Sequence, residues 1–242
     1  MTITIVSGTG TGVGKTIVTA ALATLAAARG ERVAVVKSAQ TGIAIAEPGE
    51  PGEPGEPGEP GESEELTDLE VVRRLSGVTD LHELARFPDP LSPEAAARTV
   101  GRPPLDMTAA ARYISDLAAS RDRVIVEGAG GLLVRYDPGG RTIADLARAL
   151  ESPVMVVAAA GLGTLNHIAL TLEALASRGL RSAGVVIGSW PARPGLAERS
   201  NLVDLSGLLT GWLPEGAGQL SQADFRIVAQ SVATPPSPDA LG

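Results

Sequence analysis

Gly8-Thr9-Gly10-Thr11-Gly12-Val13-Gly14-Lys15-Thr16 is the stretch that decides the fold. Residues 3–7 before it form a short apolar run, the pattern of a buried strand. Lys15–Ala28 after it (KTIVTAALATLAAA) is rich in Ala and Leu and reads as a helix that stops at Arg29-Gly30. Val33–Lys37 is a second apolar strand, so the first 37 residues read strand, loop, helix, strand: one βαβ unit. In that context glycines let successive backbone N–H groups turn toward one anion, and the helix N-terminus adds partial positive charge. Lys15 can reach outer phosphates and the Thr16 hydroxyl can ligate Mg2+. The usual phosphate loop has Gly, four residues, then Gly-Lys-Thr. Here Thr9 holds the first position and Gly8 lies one residue too far back, which predicts an elongated or shifted loop.

Working outward, helical patterns at 66–75 and 107–119 flank an irregular crossover at 87–104 that holds five prolines. Residues 124–126 form a buried strand ending in Glu127 and followed by Gly128-Ala129-Gly130-Gly131. Helices at 143–150, 165–177, 196–209 and 223–232 alternate with strands at 154–159 and 183–187 and a short strand or turn at 211–214. Strands that are apolar on both faces and alternate with helices imply an α/β fold of the P-loop NTPase type, a mostly parallel sheet covered by helices on both faces. Residues 1–234 read as one domain, with an insertion at 47–62 and a Pro-rich tail at 235–242. The insertion contains five tandem Glu-Pro-Gly triplets; Pro removes donors, Gly raises backbone entropy and the glutamates repel, so it reads as a mobile surface loop.

Composition removes several functions. The 242 residues contain no cysteine, which excludes disulfides, thiol nucleophiles and Cys-ligated metals, and two well-separated histidines, which excludes a multi-histidine site within one chain. Six aromatics argue against a base-stacking nucleic-acid platform. No run of 18 apolar residues suggests a membrane span, and the N-terminus lacks a signal-peptide pattern, so a cytoplasmic protein is expected. The formal charge of −8 is local: ten acids and no base lie between Glu47 and Glu70, and the remainder carries 20 basic against 18 acidic residues. Among the basic residues 18 are Arg and two are Lys, Lys15 and Lys37, both at strand ends or in the turns after them, where α/β sites form.

Glu127 at a strand's carboxyl end can hold Mg2+ or its water beside the phosphate loop, and the glycines after it let a ligand approach the backbone. Asp68 is a further acid, although spacing alone does not choose it over Glu65 or Glu70. Lys37, opening Lys37-Ser38-Ala39-Gln40-Thr41-Gly42, would lie near the phosphates if its strand neighbours the first, where a second ammonium suits phosphoryl transfer to an anionic acceptor. Leu162-Gly163-Thr164-Leu165-Asn166-His167 precedes a helix, and Thr164 or Asn166 reads there as an ordinary cap.

Taken together, the loop at 7–16, the segments 37–42, 126–131 and 162–167, and Ala183-Gly184-Val185-Val186 resemble the dethiobiotin synthetases, in that family's order and over roughly residues 1–216. The resemblance implies an ATP-dependent cyclo-ligase of biotin biosynthesis. It carboxylates 7,8-diaminononanoate with CO2 and closes the ring to dethiobiotin, through a carbamate and a carbamic-phosphoric anhydride, releasing ADP and phosphate. It further implies a homodimer with substrate at the subunit interface. Position by position, Thr16, Asp68 and Glu127 match Mg2+ ligands, Lys37 and Lys15 match catalytic groups, and Gly12, Val13, Gly14, Lys15, Thr16, Ile17, Asp68, Glu127, Gly128, Ala129 and Gly130 match nucleotide contacts. Gly188, Ser189, Pro214, Glu215 and Gly216 match the rest of the nucleotide site, and Thr11, Thr41, Leu162, Gly163 and Asn166 match substrate contacts, the last three reaching across from the partner subunit. Two positions depart from the pattern. Gly188 stands where many members have an Asn that reads the base, which leaves ATP or another nucleoside triphosphate open, and Ser38 replaces the Pro that often follows the lysine. A regulatory ATPase of the ParA/MinD type is the alternative; it carries a lysine five residues before the loop lysine, where this chain has Gly10. An amidoligase relative would need a Cys nucleophile, which is absent.

Overall fold

The computed structural model describes residues 2–43 and 66–234; the Glu-Pro-Gly insertion and the tail beyond residue 234 lie outside the described residues. Strands β1 (Thr2–Gly8), β2 (Val33–Lys37), β3 (Gln40–Thr41), β4 (Leu81–Glu83), β5 (Arg86–Phe87), β6 (Arg123–Gly131), β7 (Val154–Ala158), β8 (Ser182–Trp190) and β9 (Leu209–Pro214) alternate with helices. These are α1 (Lys15–Ala28), α2 (Asp68–Ser76), α3 (Pro93–Thr99), α4 (Met107–Ala118), α5 (Ile143–Ala149), α6 (Thr164–Ala176), α7 (Leu196–Leu205) and α8 (Gln222–Val228). Seven strands form one sheet in the order β4-β2-β6-β1-β7-β8-β9, and every pair in it is parallel. The expected α/β fold with a doubly covered parallel sheet is therefore present.

Alternate strand residues feed two cores. Ile5, Val36, Val126, Val156 and Ile187 face α4–α7, packing with Ile114, Ile143, Ile168 and Leu202. Val6, Val35, Ile125, Val157 and Val186 face α1, α2 and α8, packing with Val18, Leu75 and Phe225. Burial on both faces is why the strands read as continuous apolar runs rather than alternating ones. Ala20, Ala21, Ala23 and Ala26 are buried along α1, and their small side chains let that helix lie close on the sheet.

The connections place the site. The chain leaves β1 and crosses to β2, beyond β6, whereas from β6 it crosses the other way to β7. Such a reversal opens a crevice at the carboxyl ends of the strands. The loop of Thr9–Gly14, the end of β2 and the end of β6 all open into it.

Two readings need correction. The Pro-rich crossover at 87–104 is not wholly irregular: Pro93 sits at the first turn of α3, where its missing N–H has no intrahelical partner to lose. The expected last helix at 223–232 is α8 followed by a 3-10 turn over Ala229–Ala233. The short strands β4 and β5, three and two residues long, carry too few residues for a period to show. The segment at 211–214 is a full strand, β9.

Candidate active site

Helix α1 begins without a side-chain cap. Its first flanking residue is Gly14, left-handed at φ 92°, and no acid lies in its first turn. In contrast, α2, α4 and α8 are capped by Thr67, Asp106 and Ser221. The uncapped N–H groups of α1 and the turned amides of the loop are thus free for an anion. Lys15 is buried and folds back to donate to the Gly10 carbonyl at 2.9 Å. Burial, then the nearby Lys37 charge, pulls its ammonium below the ordinary lysine value.

Beside the loop, Lys37 and Glu127 are register partners across β2 and β6. Lys37 Nζ lies 2.7 Å from Glu127 Oε1 and also pairs with Asp68. Lys37 and Glu127 are 3% and 1% exposed, so this is a buried ion pair. Burial alone would lower the Lys37 ammonium, but Glu127 and Asp68 outweigh it and hold it above its usual value. Burial pushes the Asp68 carboxyl up, and Lys37 with the Thr16 hydroxyl holds it below the carboxylate range.

Thr16 Oγ1 stands 2.8 Å from Asp68 Oδ1 and 3.0 Å from Glu127 Oε1. One hydroxyl proton cannot serve two carboxylate oxygens, so this convergence suits a hard cation that all three oxygens could share. Among the described residues no cluster of three or more His, Cys, Asp or Glu could form an all-protein metal cage. Two carboxylates and a hydroxyl beside a phosphate loop fit Mg2+, whose remaining positions go to phosphates and water. Glu70 is not an alternative to Asp68: it closes a capping box on Thr67. Glu65 lies outside the described residues.

These groups line one cleft of about 890 Å³. The phosphate loop and the start of α1 contribute Thr11, Gly12, Gly14, Lys15, Thr16 and Ile17; Lys37, Thr41, Asp68, Glu127, Ala129 and Gly130 come from the ends of β2 and β6, from β3 and from the start of α2. Other expected residues stand apart. Pro214 and Glu215 line a separate cavity of about 580 Å³ with Trp190 and Trp212, at the carboxyl ends of β8 and β9, and Gly216 opens the turn after them. Gly188 packs on the phosphate loop itself: a Cβ there would lie 2.0 Å from the Val13 carbonyl oxygen, and one on Gly14 would lie 2.8 Å from the Gly188 carbonyl oxygen. The chain therefore has no room for an Asn at 188 without moving the loop. Ser189 is exposed. Leu162, Gly163 and Asn166 do not reach the cleft within this chain; Leu162 is 93% exposed. The cap reading of Thr164 and Asn166 is corrected too: the cap position before α6 is Gly163, left-handed at φ 91° and without a side-chain bond, while Thr164 is the first helical residue and its Oγ1 donates to Ala159 O at 2.6 Å.

Sequence reasoning missed two supports. Gln40 Oε1 accepts from the Asp68 backbone N–H at 3.2 Å and so fixes the first residue of α2. Tyr136, fully buried, accepts from the Ala129 N–H at 2.7 Å and bonds Ser38 Oγ at 2.8 Å. Burial pushes its phenol above the ordinary value. Neither lies in a glycine-rich or periodic segment; the scarcity of aromatics was the one signal that could have drawn attention to Tyr136.

A family model for an AAA domain matches residues 3–214. ATP-dependent dethiobiotin synthetase BioD of Frankia casuarinae is 56% identical, over 97% of this chain and 93% of its own length. The protein of the same name from Rhodococcus jostii is 51% identical, over 96% of this chain and 94% of its own. Among solved structures, the septum site-determining protein MinD of Pyrococcus horikoshii, complexed with Mg-ADP, superposes with a TM-score of 0.55 at 18% identity, covering 96% of this chain and 93% of that one. At that identity the likeness concerns the fold alone, so the regulatory-ATPase alternative keeps a distant fold relative and nothing more. Half or more of the residues are shared, over nearly the full chain, with proteins of one name; the chain belongs to the ATP-dependent dethiobiotin synthetase family.

Proposed function

We propose that this chain carboxylates 7,8-diaminononanoate with CO2 and closes the ureido ring at the expense of a nucleoside triphosphate, yielding dethiobiotin, ADP and phosphate when ATP serves. The observation that carries the reading is the placement of both lysines of the chain on one cleft with Asp68, Glu127 and the phosphate loop. The reaction brings two anions together, a carbamate and a γ-phosphate, and needs concentrated positive charge rather than a nucleophilic side chain.

One substrate amine takes up CO2, loses a proton and becomes a carbamate. A carbamate oxygen attacks the γ-phosphorus and ADP leaves. The second amine attacks the carbonyl carbon of the mixed anhydride, the ring closes and phosphate leaves. Lys15 and the loop amides from Gly12 to Ile17 hold the phosphates. Lys37, at the end of β2, offers its ammonium to the acceptor. Thr16, Asp68 and Glu127 would hold Mg2+, which neutralises phosphate charge when bound. Gly128, Ala129 and Gly130 let the nucleotide approach β6, and Gly188, Ser189, Pro214, Glu215 and Gly216 border its base and ribose.

Thr11 and Thr41 contact diaminononanoate on the cleft walls. Leu162, Gly163 and Asn166 hold its carboxylate tail from a second copy of the chain, so the working unit is a homodimer. Support comes from the uncapped N-terminus of α6, whose free N–H groups suit a carboxylate. Further support comes from the exposure of Leu162 and Leu170 at that end and along that helix. Residues 1–234 form the one domain that performs all steps, in the cytoplasm; among the described residues no helix is long and apolar enough to cross a membrane. The test supplies diaminononanoate, ¹³C-bicarbonate and Mg-ATP to the purified protein and reads the product by mass spectrometry. Dethiobiotin carrying one ¹³C, formed one for one with phosphate, is expected; unlabelled or absent product refutes the reading.

A further inference from the structure

Resting on that functional reading, we infer that Ser38 and Tyr136 are positioning residues for the reaction: a buried hydrogen-bonded clip that sets the Lys37 ammonium against Glu127. The Ser38 backbone N–H and hydroxyl both donate to one acceptor, the Glu127 carbonyl oxygen, at 3.0 and 2.8 Å. With its proton so used, Ser38 Oγ accepts from the Tyr136 hydroxyl at 2.8 Å, and Tyr136 Oη accepts from the Ala129 N–H at 2.7 Å. Every proton has one consistent direction, and the chain of bonds closes through the backbone of residues 127–129. Ser38 and Tyr136 are both 0% exposed, so bulk solvent does not reach these bonds.

The clip lies at the end of the sheet ladder. The β2–β6 ladder ends at the Lys37–Glu127 pair itself. The Ser38 N–H bond closes that pair as the last bond of the ladder, and beyond it only the Ser38 and Tyr136 hydroxyls tie the two strand ends, whose spacing sets how Lys37 Nζ meets Glu127 Oε1 and the Gly128 carbonyl, 2.7 and 3.5 Å away. Tyr136 is itself held firmly. Its N–H donates to Arg141 O at 2.8 Å, Arg135 bridges Thr142, and Asp137 pairs with Arg141 across the intervening turn at 2.5 Å. A proline at 38 would supply neither the N–H nor the hydroxyl, so the residue that departs from the family pattern makes this arrangement possible.

The test uses Ser38→Ala, Tyr136→Phe and the double variant in the full chain. With Mg-ATP and diaminononanoate, kcat falls about tenfold or more in each single variant, the loss that slight misplacement of a reacting group brings. The nucleotide KM stays within twofold, and the double variant is no worse than the poorer single because one network is broken only once. A second readout needs no turnover. The chain has two lysines, so ε-¹³C-lysine labelling gives two side-chain resonances; the Lys37 resonance shifts in the variants and the Lys15 resonance does not. Should Tyr136→Phe fail to fold, Ser38→Ala, a smaller change, decides the matter. An unmoved Lys37 resonance, a kcat within twofold of wild type, or a kcat loss matched by the nucleotide KM overturns the inference. Wild-type protein that forms no dethiobiotin refutes the functional reading instead, and the resonance test still stands.

Discussion

Replacing Lys37 by Met keeps the side chain's length and removes its charge, which isolates what the ammonium does for the fold. In the wild type it serves Asp68 and Glu127 together. Asp68 has a side chain 30% exposed and can turn to water; Glu127, at 2%, cannot. The cost of the change is therefore set by one carboxylate that loses its paired ammonium and keeps the Thr16 hydroxyl and the more distant Lys15 charge. A buried carboxylate without a cation takes up a proton, and for a carboxyl of ordinary affinity this costs about 3.7 kcal/mol at pH 7 and about 1 kcal/mol at pH 5. That ceiling agrees with the roughly 3–5 kcal/mol found when one partner of a buried pair is removed. For a chain of this size it corresponds to a fall in Tm of about 7–15 °C at pH 7. The wild-type contributions do not change across this window. Lys37 is raised, so its share is complete below the ordinary lysine value and is lost only as pH rises far above neutrality. Asp68 is lowered, so its share is complete above the ordinary carboxylate value and is lost only in acid. The deficit of Lys37→Met should then shrink as pH falls from 7 to 5, because the variant's native state gains the proton it needs. Thermal melts of both proteins at the two pH values read this directly. A deficit under about 2 °C at pH 7, or one that does not change with pH, refutes the reasoning.

Other outcomes follow from the same geometry. Lys15→Ala leaves the fold intact and lowers nucleotide turnover by about 10³-fold, read by circular dichroism and phosphate release, because charge at the phosphates is lost and no core contact is. Lys37→Arg loses at least about tenfold in kcat, about 1.4 kcal/mol, since a planar guanidinium does not fill the place of a compact ammonium; nucleotide binding by calorimetry stays measurable. Gly188→Asn raises the nucleotide KM by about tenfold or more rather than improving base recognition, because its Cβ would collide with the Val13 carbonyl. EDTA stops phosphate release, excess Mg2+ restores it, and Glu127→Gln needs about tenfold more Mg2+ for half-maximal rate.

Much of this was legible in the sequence because the chemistry is local. The phosphate loop, α1 and β2 are contiguous, and each carries its own period or glycine signal. Glu127 announced itself as a charge at the end of an apolar run. Asp68 was different: among neighbouring acids, only its position as the first residue of α2, held by Gln40, distinguishes it from Glu70 in the cap. Tertiary packing made that choice, and spacing carries no trace of it. The clip of Ser38 and Tyr136 was hidden for the same reason, since it joins residues 98 positions apart through hydroxyl groups. Gly188 was read for the side chain it lacks; the structure shows that the phosphate loop occupies that place. Short edge strands such as β4 escaped because three residues cannot display a period.

The most direct measurement of the central claim is phosphate release by the purified protein with Mg-ATP, with diaminononanoate and bicarbonate each present or omitted. In the proposed mechanism the γ-phosphoryl group passes to a carbamate oxygen, so the acceptor must be in place before it moves. The account expects rapid release only when both are present, and little release when either is left out. Equal release in all four mixtures would contradict it, leaving a nucleotide hydrolase in place of a ligase.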